Sequence, residues 1–201
     1  MKSLVFPVIR RCAAALVVAS SLVVAGCSAS PVARPGGGIG LLPVGSTAPD
    51  VVGIGNGGKQ TRLSEVRGNL AVVYFYPKDE TPGCTHEACA FRDAFVKYET
   101  RHVAIFGVSR DSIESHREFR ETHKLPFPLV ADEDGSVAQA YGVPTSFHMT
   151  SRVTFLIGSD GKVVKEWRDV DPAIHSDELI SAIDSIQATQ ATQNPKIQSP
   201  E

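Results

Sequence analysis

The run Leu70-Ala-Val-Val-Tyr-Phe-Tyr76 is apolar throughout and rich in β-branched and aromatic side chains. A short unbroken run of this kind predicts a strand buried on both faces, at the centre of a sheet. Val103–Val108 repeats the pattern, and Pro128–Ala131 is a shorter candidate. Val153–Ile157 and Lys162–Trp167 flank the turn Ser159-Asp160-Gly161, which predicts a hairpin. Between these runs the period changes: Ala88, Phe91, Phe95 and Tyr98 form a helical stripe within Pro82–Glu99. Helices are also expected over Ser112–Lys124, Ser136–Tyr141 and Ser176–Gln187. Strands alternating with helices, plus a late hairpin, predict an α/β domain with a central mixed sheet flanked by helices on both faces.

The segment Gly53-Ile-Gly55-Asn-Gly57-Gly58 matches G-x-G-x-x-G on paper. A dinucleotide site needs a helix N-terminus after those glycines, to receive the pyrophosphate. Lys59–Leu63 follows instead and reads as a strand, so the glycines predict a hairpin turn.

The two ends of the chain carry other patterns. Lys2, Arg10 and Arg11 precede the apolar stretch Ala13–Val24 and then Ala25-Gly26-Cys27. A basic start, a short apolar region and small residues before a cut describe a secretory signal. The paired arginines fall too early for a spanning helix of about 20 apolar residues. Leu22-Val-Val-Ala-Gly-Cys27 resembles the bacterial lipobox, whose cysteine is acylated and becomes the new N-terminus. The resemblance implies an exported, extracytoplasmic protein, held at a bacterial membrane by a lipid on Cys27. Ser28–Gly45 is rich in Pro, Gly, Ala and Ser, as a flexible tether would be, and Ala188–Glu201 is polar and low in complexity. The expected organisation is therefore a signal over 1–26, a tether over 27–43, one domain over 44–187 and a disordered tail over 188–201.

Hydrophobic residues make up 42% and charged residues 21% of the 201, the balance of a chain able to bury a core. The formal net charge of −2 comes with no basic run, which argues against nucleic acid as a partner. Removing residues 1–26 strips three basic residues and no acid, leaving a more acidic mature chain.

Apart from Cys12 and Cys27 of the signal and its lipobox, only Cys84 and Cys89 remain, in Pro77-Lys-Asp-Glu-Thr81-Pro82-Gly83-Cys84-Thr-His86-Glu87-Ala-Cys89. Thr81 suits a helix N-cap and Pro82 the first helical position, so Cys84 falls in the first turn. Unpaired backbone N–H groups and the helix dipole there favour a thiolate. On an ideal helix Cys89 is rotated by roughly 140° from Cys84, with its Cα about 8.7 Å away. A disulfide tolerates at most about 7 Å, so the pair bonds only if the helix start unwinds, which suits a switching pair better than a permanent staple. The C-x-x-x-x-C spacing departs from the C-x-x-C of thioredoxin-type pairs. Metal binding by the two cysteines with His86 would scatter three ligands around the helix, a poor tetrahedral set.

Pro77-xxx-Thr81-xx-Cys84 resembles the active-site signature of the peroxiredoxins, and a second cysteine five residues on resembles the PrxQ/bacterioferritin comigratory protein branch. The similarity spans about Val44–Gln187 and includes Gly107-Val-Ser-Arg-Asp-Ser112, Pro128-Leu-Val-Ala-Asp-Glu-Asp-Gly135 and Arg152-Val-Thr-Phe-Leu-Ile157. It implies a thioredoxin-like fold, a monomeric chain and a thiol peroxidase that needs no cofactor. Cys84 would attack the peroxide and become a sulfenic acid, Cys89 would resolve it as an intramolecular disulfide, and a thioredoxin-like dithiol would reset the pair. Thr81 would offer its hydroxyl to thiolate and peroxide, and Arg152 would set a positive charge beside Cys84. Pro77 would shield the pocket and Glu87 would orient the arginine. Two other readings remain open: a thiol–disulfide oxidoreductase for exported proteins, and a copper-delivering thioredoxin-like module in which His148 or His175 joins the cysteines.

Overall fold

The computed structural model describes residues 32–35 and 37–193. Among these residues nine strands form: β1 (Val52–Ile54), β2 (Gln60–Arg62), β3 (Leu70–Phe75), β4 (Val103–Ser109), β5 (Leu129–Ala131), β6 (Thr145–Ser146), β7 (Met149–Thr150), β8 (Val153–Ile157) and β9 (Val163–Trp167). The helices are α1 (Pro82–Asp93), α2 (Phe95–Glu99), α3 (Ile113–His123), α4 (Ser136–Tyr141) and α5 (His175–Gln193). Seven strands make one mixed sheet in the order β2-β1-β5-β4-β3-β8-β9. β3, β4 and β5 run parallel, whereas β8 pairs antiparallel with both β3 and β9.

All six residues of β3 are buried, and their alternation divides the core. Leu70, Val72 and Tyr74 join Phe91 of α1, Tyr98 of α2, Phe119 of α3 and Leu179 of α5 on one face. Ala71, Val73 and Phe75 join Tyr141 of α4, Val51 and Leu42 on the other. The alternation of strands and helices thus becomes the expected sheet between two helical layers. The glycine-rich segment is the turn of the β1–β2 hairpin, where Gly57 and Gly58 adopt φ of 66° and 76°, a region open to glycine at little cost.

Several segments depart from expectation. Pro82–Glu99 is two helices, because Ala94 (φ −90°, ψ 2°) tightens the chain between them. The turn brings the Tyr98 hydroxyl to the carbonyl of Ser176, 3.0 Å away. Helix α5 continues six residues past Gln187, through the first part of the expected tail. Ala188 and Ala191 favour helix there, and the Thr189 and Thr192 hydroxyls donate to the carbonyls four residues back. In the described part of the expected tether Ala33 bridges Ile39, Arg34 Nη1 donates to the carbonyls of Gly40 and Leu41, and buried Leu42 donates its N–H to the Tyr141 carbonyl. The β6–β7 hairpin was not expected. No helix among the described residues is long and apolar enough to cross a membrane. The signal, Cys27 and residues 194–201 lie outside the described residues.

Candidate active site

The loop between β3 and α1 sets the site. It starts at half-buried Pro77, and Asp79 turns inward to lie almost completely buried. Tyr76 Oη donates to Asp79 Oδ1 at 2.7 Å, and Ser115 Oγ donates to Oδ2 at 2.7 Å. His116 Nδ1 stands 2.9 Å from Oδ2, and its Nε2 stands 3.1 Å from the carbonyl of Val130. Both ring nitrogens of His116 are thereby engaged, one by a carboxylate and one by a carbonyl. Burial works against the Asp79 charge, but the hydrogen bonds and charge of His116, with Tyr76 and Ser115, hold its carboxyl below the ordinary range. Asp79 also donates its own N–H to Asp111 Oδ2. The loop is thereby pinned to α3.

Helix α1 opens as its sequence predicts in backbone but not in side chain. Thr81 occupies the N-cap and Pro82 the first turn, yet the Thr81 side chain accepts no helix N–H. Its hydroxyl donates to the Lys78 carbonyl at 3.0 Å instead, so its single proton is directed at the loop. Cys84 is the third residue of α1 and only 2% exposed. Arg152, immediately before β8, reaches across from the neighbouring strand. Its Nη2 donates to Cys84 Sγ at 3.3 Å, and its Nη1 donates to Glu87 Oε2. Glu87 lies three residues beyond Cys84, hence on the same helix face. It is 1% exposed, and its Oε1 has no partner. Burial pushes the Glu87 carboxyl up to about 7, against the pull of Arg152. Burial also works against the Arg152 charge, but Glu87 and Cys84 more than offset it and raise its pKa above the ordinary value. Tyr74 packs beneath, held protonated chiefly by burial and then by Glu87.

Cys89 lies further along the same unbroken helix, half-buried, and both cysteines are free. Intact helix geometry keeps their Cα atoms about 8.7 Å apart. Pro172 approaches Gly83 over the first turn, and a shallow hollow bounded by Ser151, Arg152, Arg168 and Val170 opens beside the arginine. A separate cleft between the glycine turn and α3, bordered by Ile54, Ile113, Arg117 and Arg120, includes none of the expected site residues.

The structure therefore brings Cys84, Glu87 and Arg152 into direct contact and sets Pro77 and Thr81 in the loop ahead of them, with Cys89 one to two turns beyond. The residues that sequence reasoning missed are Asp79 and His116. An acid inside the signature loop was visible, but its burial against a histidine 37 residues away was not. His148 lies in the exposed β6–β7 turn, whereas His175 is wholly buried between Phe91 and Trp167 with Nε2 on Thr154 Oγ1. Burial pushes His175 down to about 4, so it packs as a neutral ring. Among the described residues no three His, Cys, Asp or Glu side chains cluster as a metal site would.

Chemically, the Cys84 sulfur sits in the first turn of a helix with a guanidinium donor fixed on it. The same donors stabilise negative charge developing on an oxygen bound beside that sulfur. The AhpC/TSA family model matches residues 44–166. Peroxiredoxin Bcp of Bacillus subtilis is 40% identical over 149 residues, which cover 71% of this chain and 95% of that protein. The chloroplastic peroxiredoxin Q of Sedum lineare is 39% identical over 146 residues, covering 71% of this chain and 78% of that one. The Xanthomonas campestris bacterioferritin comigratory protein, studied for alkyl peroxide reduction, superposes with a TM-score of 0.60 at 36% identity, over 67% of this chain and 90% of that chain.

Proposed function

Because the chain belongs to the AhpC/TSA family, in the branch of the Bcp and Q peroxiredoxins, it is a peroxidase of thioredoxin-like fold, and we propose that Cys84 is the sulfur that peroxide oxidises. The observation that carries this assignment is the hydrogen bond from Arg152 Nη2 to Cys84 Sγ at 3.3 Å. The Cys84 thiolate attacks one peroxide oxygen. The oxygen–oxygen bond breaks as the sulfur–oxygen bond forms, and the departing oxygen takes a proton and leaves as water or an alcohol. Arg152 steadies the charge passing from sulfur to oxygen. Thr81 turns its hydroxyl from the Lys78 carbonyl toward the incoming peroxide, Pro77 walls the loop, and Glu87 holds the guanidinium in place.

The first turns of α1 then unwind, since the folded helix keeps the cysteines too far apart to bond. The Cys89 sulfur attacks the sulfenic acid, water leaves, and a disulfide forms. A thioredoxin-type dithiol restores both thiols by exchange. The test is peroxide consumption by the reduced protein supplied with such a dithiol. Turnover that persists undiminished in Cys84→Ser refutes the assignment.

The protein acts outside the cytoplasm, anchored through a lipid on Cys27. The lipobox-like Leu22–Cys27 and the basic, apolar start supply the support. A mass on Cys27 equal to its acyl groups, and release from membranes in Cys27→Ser, are the expected results. An unmodified, soluble chain overturns the anchor.

A further inference from the structure

The β6–β7 hairpin projects a side chain that the fold does not use. Phe147 is 92% exposed at its tip, and Met149 beside it is 37% exposed. Phe147 and His148 form a turn in which both residues have positive φ, 49° and 59°, an uncommon conformation for a bulky residue. The hairpin closes where Ser151 N–H meets the Pro144 carbonyl at 2.8 Å, one residue ahead of Arg152. It therefore stands at the mouth of the peroxide site.

The chain's N-terminal lead arrives at the same place. Gly40 and Leu41 border one hollow together with Pro144, Ser151 and Arg168. Ser151 and Arg168 also border the adjoining hollow beside Arg152. Gly40 N–H bonds the Val32 carbonyl at 2.8 Å, so Val32 is held against Gly40, and neighbouring Ile39 is 71% exposed. Cys27 stands five positions ahead of Val32, a reach of about 17 Å fully extended. A lipid on Cys27 would thus hold the end of the domain where Gly40 meets Pro144 toward the bilayer, rather than let the domain swing on a long tether.

We propose that the β6–β7 hairpin is a membrane-docking element: Phe147 enters the acyl region of a lipid surface and aims the Cys84 mouth at hydroperoxides of membrane lipids. This rests on the anchored reading of the chain. The chemistry is that of the peroxidase: the lipid oxygen–oxygen bond breaks, Cys84 gains one oxygen and is oxidised, and the lipid leaves as an alcohol after taking a proton. A single exposed apolar side chain is ordinary on a soluble protein. Here Phe147 and Met149 share one hairpin that closes beside Arg152, and Ile39 precedes the Gly40 that borders a hollow with Pro144.

The experiment uses the full chain, isolated with its anchor and placed in phosphatidylcholine vesicles with plain or brominated acyl chains. Trp167 is the only native tryptophan and lies half-buried in β9, which makes wild type the reference. In Phe147→Trp the added indole emission should be quenched by brominated chains, and the wild-type emission should not. Phe147→Asp, its fold checked by circular dichroism, should turn over a phospholipid hydroperoxide in vesicles about tenfold more slowly relative to hydrogen peroxide. Anchoring is read separately, by flotation with the vesicles and by the acyl mass on Cys27. Flotation without quenching overturns the docking and spares the anchor. Quenching of an unacylated chain supports docking and refutes the anchor, and neither signal overturns both. A Phe147→Asp variant that leaves the lipid rate intact but raises KM for the dithiol, or breaks a dimer, assigns the hairpin to a protein partner and overturns the proposal.

Discussion

Nη2 of Arg152 lies 3.3 Å from Sγ of Cys84, a contact made across 68 residues of sequence by the adjacency of β3 and β8. The guanidinium is forked, with one arm on the sulfur and the other on Glu87. It stays charged at every working pH and has little freedom to leave.

Arg152→Ala should lower kcat/KM for hydrogen peroxide by about two to three orders of magnitude, the effect of losing a donor to developing oxyanion charge. Alkylation of Cys84 by iodoacetamide near neutral pH should slow in parallel. Arg152→Lys keeps the charge without the fork and should recover part of the loss. A variant within a factor of two of wild type would remove the guanidinium from the account.

Glu87 links the site to pH. Its folded pKa of about 7 stands above the ordinary 4.5, so the fold favours its protonated form. That contribution is complete below about pH 4.5 and is lost as pH rises through about 7. Urea titrations at about pH 4 and pH 8 should show Glu87→Gln gaining on wild type by up to about 3 kcal/mol at the higher pH. Stability curves that stay parallel would contradict the burial argument.

The sign reverses for Asp79. His116, Tyr76 and Ser115 hold its carboxyl below the ordinary 3.8 against the opposing effect of burial, so its contribution is present above about pH 4 and is lost as pH falls through the lower folded value. Asp79→Asn should cost about 3 kcal/mol near pH 7, because the buried His116, Tyr76 and Ser115 side chains lose the carboxylate they bond. The gap to wild type should narrow in acid. A cost under about 1 kcal/mol at pH 7 would show that the pair does not pin the loop.

The unwinding step can be tested without touching either sulfur. A Cβ at Gly83 would meet Arg152 Nη2 at 3.5 Å and Pro172 Cγ at 3.9 Å, ordinary contacts. Gly83→Ala should therefore fit, and it should stabilise the first turn of α1 by about 0.5–1 kcal/mol. Disulfide formation, followed by thiol loss after rapid mixing with peroxide, should slow about two- to fivefold. An unchanged rate would mean that α1 need not open.

The elements that sequence exposed were those whose residues report their own surroundings. The unbroken apolar run of β3 announced a strand covered on both faces, and the stripe through Ala88 and Phe91 announced which face of α1 is buried. Cys84 and Cys89 were legible as a pair because their separation follows from helix geometry. Arg152 and Glu87 were legible only through family resemblance, since an arginine before a strand and an acid in a first turn look like ordinary surface residues. Asp79 and His116 escaped because burial of a charge depends on its tertiary partner. The bond from the Thr81 hydroxyl to the Lys78 carbonyl escaped for a related reason, since the fold of the loop places that carbonyl. Phe147 was passed over because a two-residue strand is too short to set up any period.

The most direct measurement is the intact mass of the reduced protein before and after one equivalent of hydrogen peroxide, with Cys89→Ser and Cys84→Ser treated alongside. Within seconds wild type should lose two hydrogens, Cys89→Ser should gain one oxygen, and Cys84→Ser should not change. If Cys84→Ser gains the oxygen instead, or if wild type keeps its reduced mass, Cys84 is not the sulfur that meets peroxide.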